Sequence, residues 1–143
     1  MDKKALTAPC GLDCFNCELF QDNLTPELVQ AIHNKMGVPE EEIACHGCLQ
    51  QDGKHFHLPK EGCATLDCIK AKGVALCFNC EDFPCAFLAP TADQAARYPH
   101  NMKVYNLCRI RKVGLDRWID EEAGGIRKKY FKGKFVVGKG QAD

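Results

Sequence analysis

Residues 14–18 read Cys14-Phe15-Asn16-Cys17-Glu18, and residues 77–81 repeat them as Cys77-Phe78-Asn79-Cys80-Glu81; a phenylalanine stands two positions beyond each copy, Phe20 and Phe83. Each copy has the chemistry of a metal half-site. Two thiolates separated by two residues grip one ion from a single tight turn, and two such turns complete a tetrahedral shell of four. Working outward, ten of the eleven cysteines fall between Cys10 and Cys85. They resolve into three pairs spaced by two residues (Cys14/Cys17, Cys45/Cys48, Cys77/Cys80), one pair spaced by four (Cys63/Cys68), and two flanking singles, Cys10 and Cys85.

Four pairs predict two tetrahedral sites. If each repeat anchors its own site and the nearest unduplicated pair completes it, Cys14, Cys17, Cys45 and Cys48 form one and Cys63, Cys68, Cys77 and Cys80 the other. This grouping keeps the closed loops short, although closure entropy grows only slowly with loop length, so a crossed arrangement stays open. Cys10 and Cys85 are left to replace a pair member, bind a third ion or pack as buried thiols. Cys108 stands alone on a helical stripe beside Val104 and Ile110 and is expected to pack in the core. His46, His55 and His57 are candidate ligands by position, but with thiolates abundant they are expected to be spectators, as are His33 and His100.

Around these cysteines the chain is predicted to be mainly α. Thr25 before Pro26 supplies an N-cap and a proline at the first helical position, and Leu28, Val29, Ile32 and Met36 recur at helical spacing until Gly37. Residues 39–43 read as a short acidic turn. Cys63 to Gly73 reads as one or two helical turns closed by glycine. Thr91 is a candidate cap of a short segment and Asn101 of a longer helix to Val113; Leu115 to Glu122 continues beyond Gly114. Met102, Tyr105, Ile110, Val113, Trp118 and Ile119 are the expected core, whereas Phe15 and Phe78 are expected to shield metal from solvent. The fold class that follows is a small metal-stabilised domain with little β: a cysteine-rich knuckle-and-loop N-terminal half packed with a short-helix C-terminal half. Residues 1–125 are assigned to one domain, with knuckles over 10–85 and the helical part over 86–125, and 126–143 to a basic C-terminal extension with β-prone runs but no room for a sheet of its own. Because the N-terminal half has few large apolar residues, metal is expected to hold it together; a structural zinc contributes about 10–16 kcal/mol in small peptides, comparable with the whole stability of a domain.

A chain of 143 residues suits one ordinary domain. Its first residues carry charge without the apolar run of a signal peptide, and no stretch reaches bilayer-spanning length, so a cytoplasmic location is expected. In a reducing compartment clustered cysteines are metal thiolates more often than disulfides. Lys and Arg balance Asp and Glu at 19 each, but residues 1–125 hold 13 against 18, whereas residues 126–143 hold six against one. An acidic body argues against a large phosphate footprint, and the short basic tail is expected to be solvated.

No catalytic residue is assigned. Cys10-x3-Cys14-x2-Cys17 has the spacing that radical enzymes using S-adenosylmethionine place on an iron–sulfur cluster, but those enzymes use a large partial barrel, and a full one needs about 250 residues. No cysteine sits in a recognisable nucleophile elbow, and an all-thiolate shell leaves no open position for a metal-bound water.

The order Cys10-Gly11-Leu12-Asp13-Cys14-Phe15-Asn16-Cys17, then Cys45-His46-Gly47-Cys48, Cys63-x4-Cys68-Ile69, Lys72-Gly73-Val74 and Cys77-x2-Cys80-x2-Phe83-Pro84-Cys85 resembles domain of unknown function 3795. These are small cysteine-rich bacterial and archaeal proteins predicted to bind zinc, with no established activity. The resemblance covers residues 10–85; Leu115-Asp116-Arg117-Trp118 is similar in character, and the basic tail from Arg127 departs from it. It implies that all ten N-terminal cysteines, Cys10 and Cys85 included, belong to the ligand pattern.

The function expected from these readings is a zinc-binding cytosolic protein with two structural ions, presenting a surface to a protein partner. Its alternative is an iron–sulfur protein for electron transfer or redox sensing, because four-thiolate shells hold such clusters equally well, though neither ferredoxin spacing is matched. A zinc-knuckle nucleic-acid binder is the third. Partner identity and oligomeric state are not legible in the sequence, and no membrane association is expected.

Overall fold

In the computed structural model, which describes residues 1–142, the chain is mainly helical. Helices α1 (Pro26–Met36) and α2 (Ala64–Lys72) lie in the cysteine-rich half, and α3 (Lys103–Val113), α4 (Leu115–Arg117), a π-helical turn (Trp118–Glu122) and α5 (Ala123–Lys132) follow one another almost without interruption. Strands β1 (Lys134–Val136) and β2 (Gly140–Ala142) close the described chain as an antiparallel ribbon, with Phe135 opposite Gln141.

The local signals act as their chemistry dictates. The Thr25 hydroxyl accepts from the Leu28 N–H (3.3 Å), and Pro26 occupies the first turn of α1, where its missing N–H costs nothing. Gly37 and Gly73 adopt left-handed conformations (φ 68° and 63°) and end α1 and α2. Thr91 does not start a helix. The Asn101 amide instead bridges back to it, accepting from the Thr91 N–H (3.0 Å) and donating to its carbonyl (2.8 Å), which closes a loop ahead of α3 rather than capping α3.

The two copies of the repeat are also one structure twice. Cys14–Asn16 and Cys77–Asn79 each form a 3₁₀ turn, closed by the Cys17 N–H on the Cys14 carbonyl (3.0 Å) and the Cys80 N–H on the Cys77 carbonyl (3.1 Å). The phenylalanine beyond each copy continues the likeness: the Phe20 N–H donates to Cys17 and the Phe83 N–H to Cys80.

Both copies dock on the same C-terminal helical run. The first inserts Phe15 edge-on against Trp118 (centroids 6.1 Å apart), in a core that also holds Leu6, Phe20, Ile110, Ile119 and Ala123. Phe15 is thus part of the hydrophobic core. The second copy packs through Cys77 on Leu107, with Ile69 and Leu88, and Phe78 touches both clusters. Between them Gly11 (φ 88°) lies so close to α3 that a Cβ there would stand 2.8 Å from the Lys103 carbonyl oxygen and from Leu107, while the buried Asn106 amide donates to the Gly11 carbonyl (2.7 Å). No side chain larger than hydrogen fits this crossing.

Three expectations are corrected. Cys108 is exposed. Tyr105 is exposed as well, because the buried stripe of α3 runs through Asn106, Leu107 and Ile110, and both residues lie off it. The helical part also does not stop at residue 125: α5 runs across the 125/126 boundary through Gly124 and Gly125, and Arg127 on it is buried. Its guanidinium reaches Asp13 (3.1 Å), itself wholly buried, and Glu18 (2.9 Å), so the first residues of the basic segment clasp the first knuckle. Tyr130 adds a second tie, donating to the carbonyls of Ala95 (2.9 Å) and Tyr98 (3.1 Å).

Candidate metal centre

Backbone pairing brings the first repeat to the second cysteine pair. Phe20 and Cys45 form a parallel bridge in which the Cys45 N–H donates to the Leu19 carbonyl (2.8 Å) and the Gln21 N–H to the Cys45 carbonyl (2.9 Å). Cys14/Cys17 and Cys45/Cys48 thereby become neighbours across about 30 residues of chain. The two pairs are close enough to act on one another: Cys48 is the first influence that raises the Cys14 thiol, and Cys45 feels both Cys14 and Cys17. The Gly47 backbone N–H, two residues on, points at the Cys45 sulfur (3.4 Å), and the backbone at Leu19 and Leu12 pulls the Cys17 and Cys10 thiols in the same direction. Such donors stabilise thiolate over thiol.

Burial works the other way. It pushes the Cys10, Cys17 and Cys45 thiols up, and Cys14 is pushed well up, first by Cys48 and then by burial. Cys77 is pushed to about 12, chiefly by burial and then by the neighbouring thiols of Cys10 and Cys85. Crowded buried thiols of this kind stay protonated until a cation compensates them, and a bound metal is the usual such cation.

The cysteines divide between two cavities. Cys10, Cys14, Cys17, Cys45, Cys48 and Cys63 face one of about 860 Å³. Cys68, Cys77, Cys80 and Cys85 face another of about 20 Å³. Among the described residues, no group of three or more His, Cys, Asp or Glu side chains is positioned to hold a metal ion. Each cysteine set therefore offers the donor type of a thiolate site without a preassembled shell, and the first set adds a backbone N–H on the Cys45 sulfur.

Of the histidines, His55 and His57 contact one another through Nδ1, and His55 Nε2 bonds the Ile43 carbonyl (3.1 Å). His33 Nδ1 bonds the Val38 carbonyl (2.9 Å), His100 the Ala89 carbonyl (2.8 Å), and His46 the Gln21 side chain. The residue missed from the sequence is Arg127, which no motif marks; its only signal is charge, one Arg in a basic run facing an acidic N-terminal half.

Comparison with known families decides the classification. The profile of the family described as protein of unknown function (DUF3795) matches residues 6–90, more than half of the chain. The chain belongs to the DUF3795 family. No curated protein and no solved structure matches it. The DUF3795 region takes in all ten clustered cysteines and both repeat copies, and stops just before the helical run on which they dock.

Proposed function

We propose that this DUF3795 protein binds zinc through its clustered cysteines, that two ions serve a structural role, and that the metal-bound fold is a cytoplasmic interaction module. The observation that carries this reading is the Phe20–Cys45 bridge, which sets two Cys-x-x-Cys turns side by side, with the Gly47 N–H on the Cys45 sulfur. Zinc is favoured by a donor set of thiolates on short turns; His55 and His57 line the same cavity as the first set, but His55 Nε2 is already bonded to the Ile43 carbonyl. A structural role follows from position: the cysteine turns carry Phe15 and Phe20 into the Trp118 core, so an ion fixing the turns also fixes the core. No helix among the described residues is long and apolar enough to cross a membrane. Phe135 and Val137, almost fully exposed beside Lys134 and Lys139, offer apolar and basic surface to a protein partner.

One observation favours a second reading. Six cysteines line one cleft, more than the four a single zinc takes, and iron–sulfur clusters are also held by sets of cysteine thiolates. Anaerobic purification followed by a visible spectrum and elemental analysis separates the two. A colourless protein with about two zinc ions per chain is expected from two four-thiolate sites; a brown protein with iron and acid-labile sulfide overturns the zinc reading in favour of the cluster.

A further inference from the structure

The second repeat poses a geometric problem for the pairing that its sequence suggests. Cys63 is the N-cap residue of α2 and Cys68 lies within it. Five residues of α-helix turn the side-chain direction by about 140° and advance it about 7.5 Å, so the two thiols leave the helix on different faces. Cys63 turns toward the loop at Gly53, where a Cβ on Gly53 would stand 2.9 Å from the Cys63 Cβ, and onto the wall of the large cavity. Cys68 turns to the opposite cavity.

That smaller cavity has the dimensions and lining of a one-ion site. Its volume of about 20 Å³ is just above the 10–15 Å³ or so that admits a single water-sized guest. Four cysteines line it, from α2 (Cys68), both ends of the repeated turn (Cys77, Cys80), and the segment that follows (Cys85). Four is the number that a closed tetrahedral zinc shell takes. The remaining polar side chains on the wall are Thr65 and Lys72, and the rest is apolar. Cys77 and Cys85 already belong to one packed cluster with Ile69 and Leu88; Cys10 touches that cluster too but lines the other cavity.

We propose that the second metal ion is held by Cys68, Cys77, Cys80 and Cys85, with Cys85 taking the place that the sequence pairing gives to Cys63. This assignment rests on the reading of the chain as a zinc protein. Each of the four thiols releases its proton to solvent as its Zn–S bond forms, so four thiolates and one Zn²⁺ leave a centre of charge −2. Lys72 on the cavity wall, which also pairs with Asp82, offsets part of that charge. Closing the shell needs side-chain rotation of the cysteines, because no such group is preassembled among the described residues.

The test uses the full chain loaded with zinc under reducing, anaerobic conditions. Metals are counted by native mass spectrometry in the presence of a moderate zinc chelator, and the cysteine Cβ chemical shifts, which separate zinc-bound from free thiols, are measured on the wild-type protein. The expected result is two zinc ions in the wild type and in Cys63→Ser, one in Cys85→Ser, and zinc-bound shifts at Cys68, Cys77, Cys80 and Cys85 with a free-thiol shift at Cys63. The wild-type shifts decide the matter even if Cys85→Ser fails to fold. Two zinc ions with a bound shift at Cys63 and a free one at Cys85 overturn this grouping while leaving the zinc reading intact. A wild-type chain that takes up no zinc overturns the zinc reading itself, and the grouping with it.

Discussion

Arg127→Met is the substitution that most sharply tests how the C-terminal helix is joined to the first knuckle. Asp13 is wholly buried and Arg127 nearly so; they meet at 3.1 Å, and the other Asp13 oxygen accepts from the Asn16 amide (3.1 Å). Burial pushes the Asp13 carboxyl up and the guanidinium pulls it back. With Arg127 gone, the carboxylate is left buried with one neutral donor, a loss of about 3–5 kcal/mol for a broken buried pair. The chain has one escape, which is to protonate Asp13. For a carboxyl of ordinary pKa near 3.9 that costs about 4 kcal/mol at pH 7, so the penalty is capped close to the same figure. The guanidinium also sits 5.3 Å from the Phe131 ring, which adds about 0.5–1 kcal/mol.

Against a total stability of about 5–15 kcal/mol, such a loss should lower Tm by roughly 10–20 °C. The assay is urea and thermal unfolding of metal-saturated protein, monitored by near-UV circular dichroism of Trp118. The double variant Asp13→Asn with Arg127→Met removes both charges and should recover at least half of the loss, because no uncompensated carboxylate remains. Glu18→Gln should cost under about 1 kcal/mol, since that carboxylate is largely exposed. If Arg127→Met unfolds within about 1 kcal/mol of wild type, the clasp contributes nothing and residues 126–132 are an appendage after all.

Gly11→Ala should destabilise by about 1–3 kcal/mol, because the new Cβ meets both the Lys103 carbonyl and Leu107 at a positive φ; chemical denaturation of the loaded protein reads it. Phe15→Ala should cost about 3–5 kcal/mol and abolish the near-UV signal of Trp118, whereas Phe78→Ala, only partly buried, should cost less. Burial holds His55 below its usual range; the unfolded chain then takes the proton first, so stability is lost as pH falls from about 6.5 toward the lower folded value. Comparing wild type with His55→Gln between pH 7 and 5.5, the variant should show the smaller decline.

Much of the fold was legible because its signals are local. The duplicated pentapeptide folds as the same 3₁₀ turn twice, Thr25-Pro26 starts a helix and Gly73 stops one, each through chemistry contained within a few residues. What was not legible depended on contacts made at a distance. The 125/126 division followed the change from an acidic body to a basic segment, a charge signal that does not mark where a helix ends; Ala123 in the Trp118 core and Arg127 on Asp13 anchor α5 on either side of that division. Tyr105 and Cys108 read as core on a helical stripe, but the register of α3 is set by Gly11 meeting Leu107 and Asn106, which turns both outward. The side on which Cys63 emerges was likewise hidden, because a spacing of five is close on a turn and divergent on a helix.

The claim on which the rest depends is that metal on the cysteines holds this fold together. Its most direct test is a titration of the loaded, reduced protein with a high-affinity chelator, following released zinc and the near-UV signal of Trp118 in the same sample. The account predicts that about two zinc ions leave per chain, that the Trp118 signal collapses as they leave, and that adding zinc back restores it. A Trp118 signal that survives complete removal of metal, or a purified chain with no metal to remove, would contradict it.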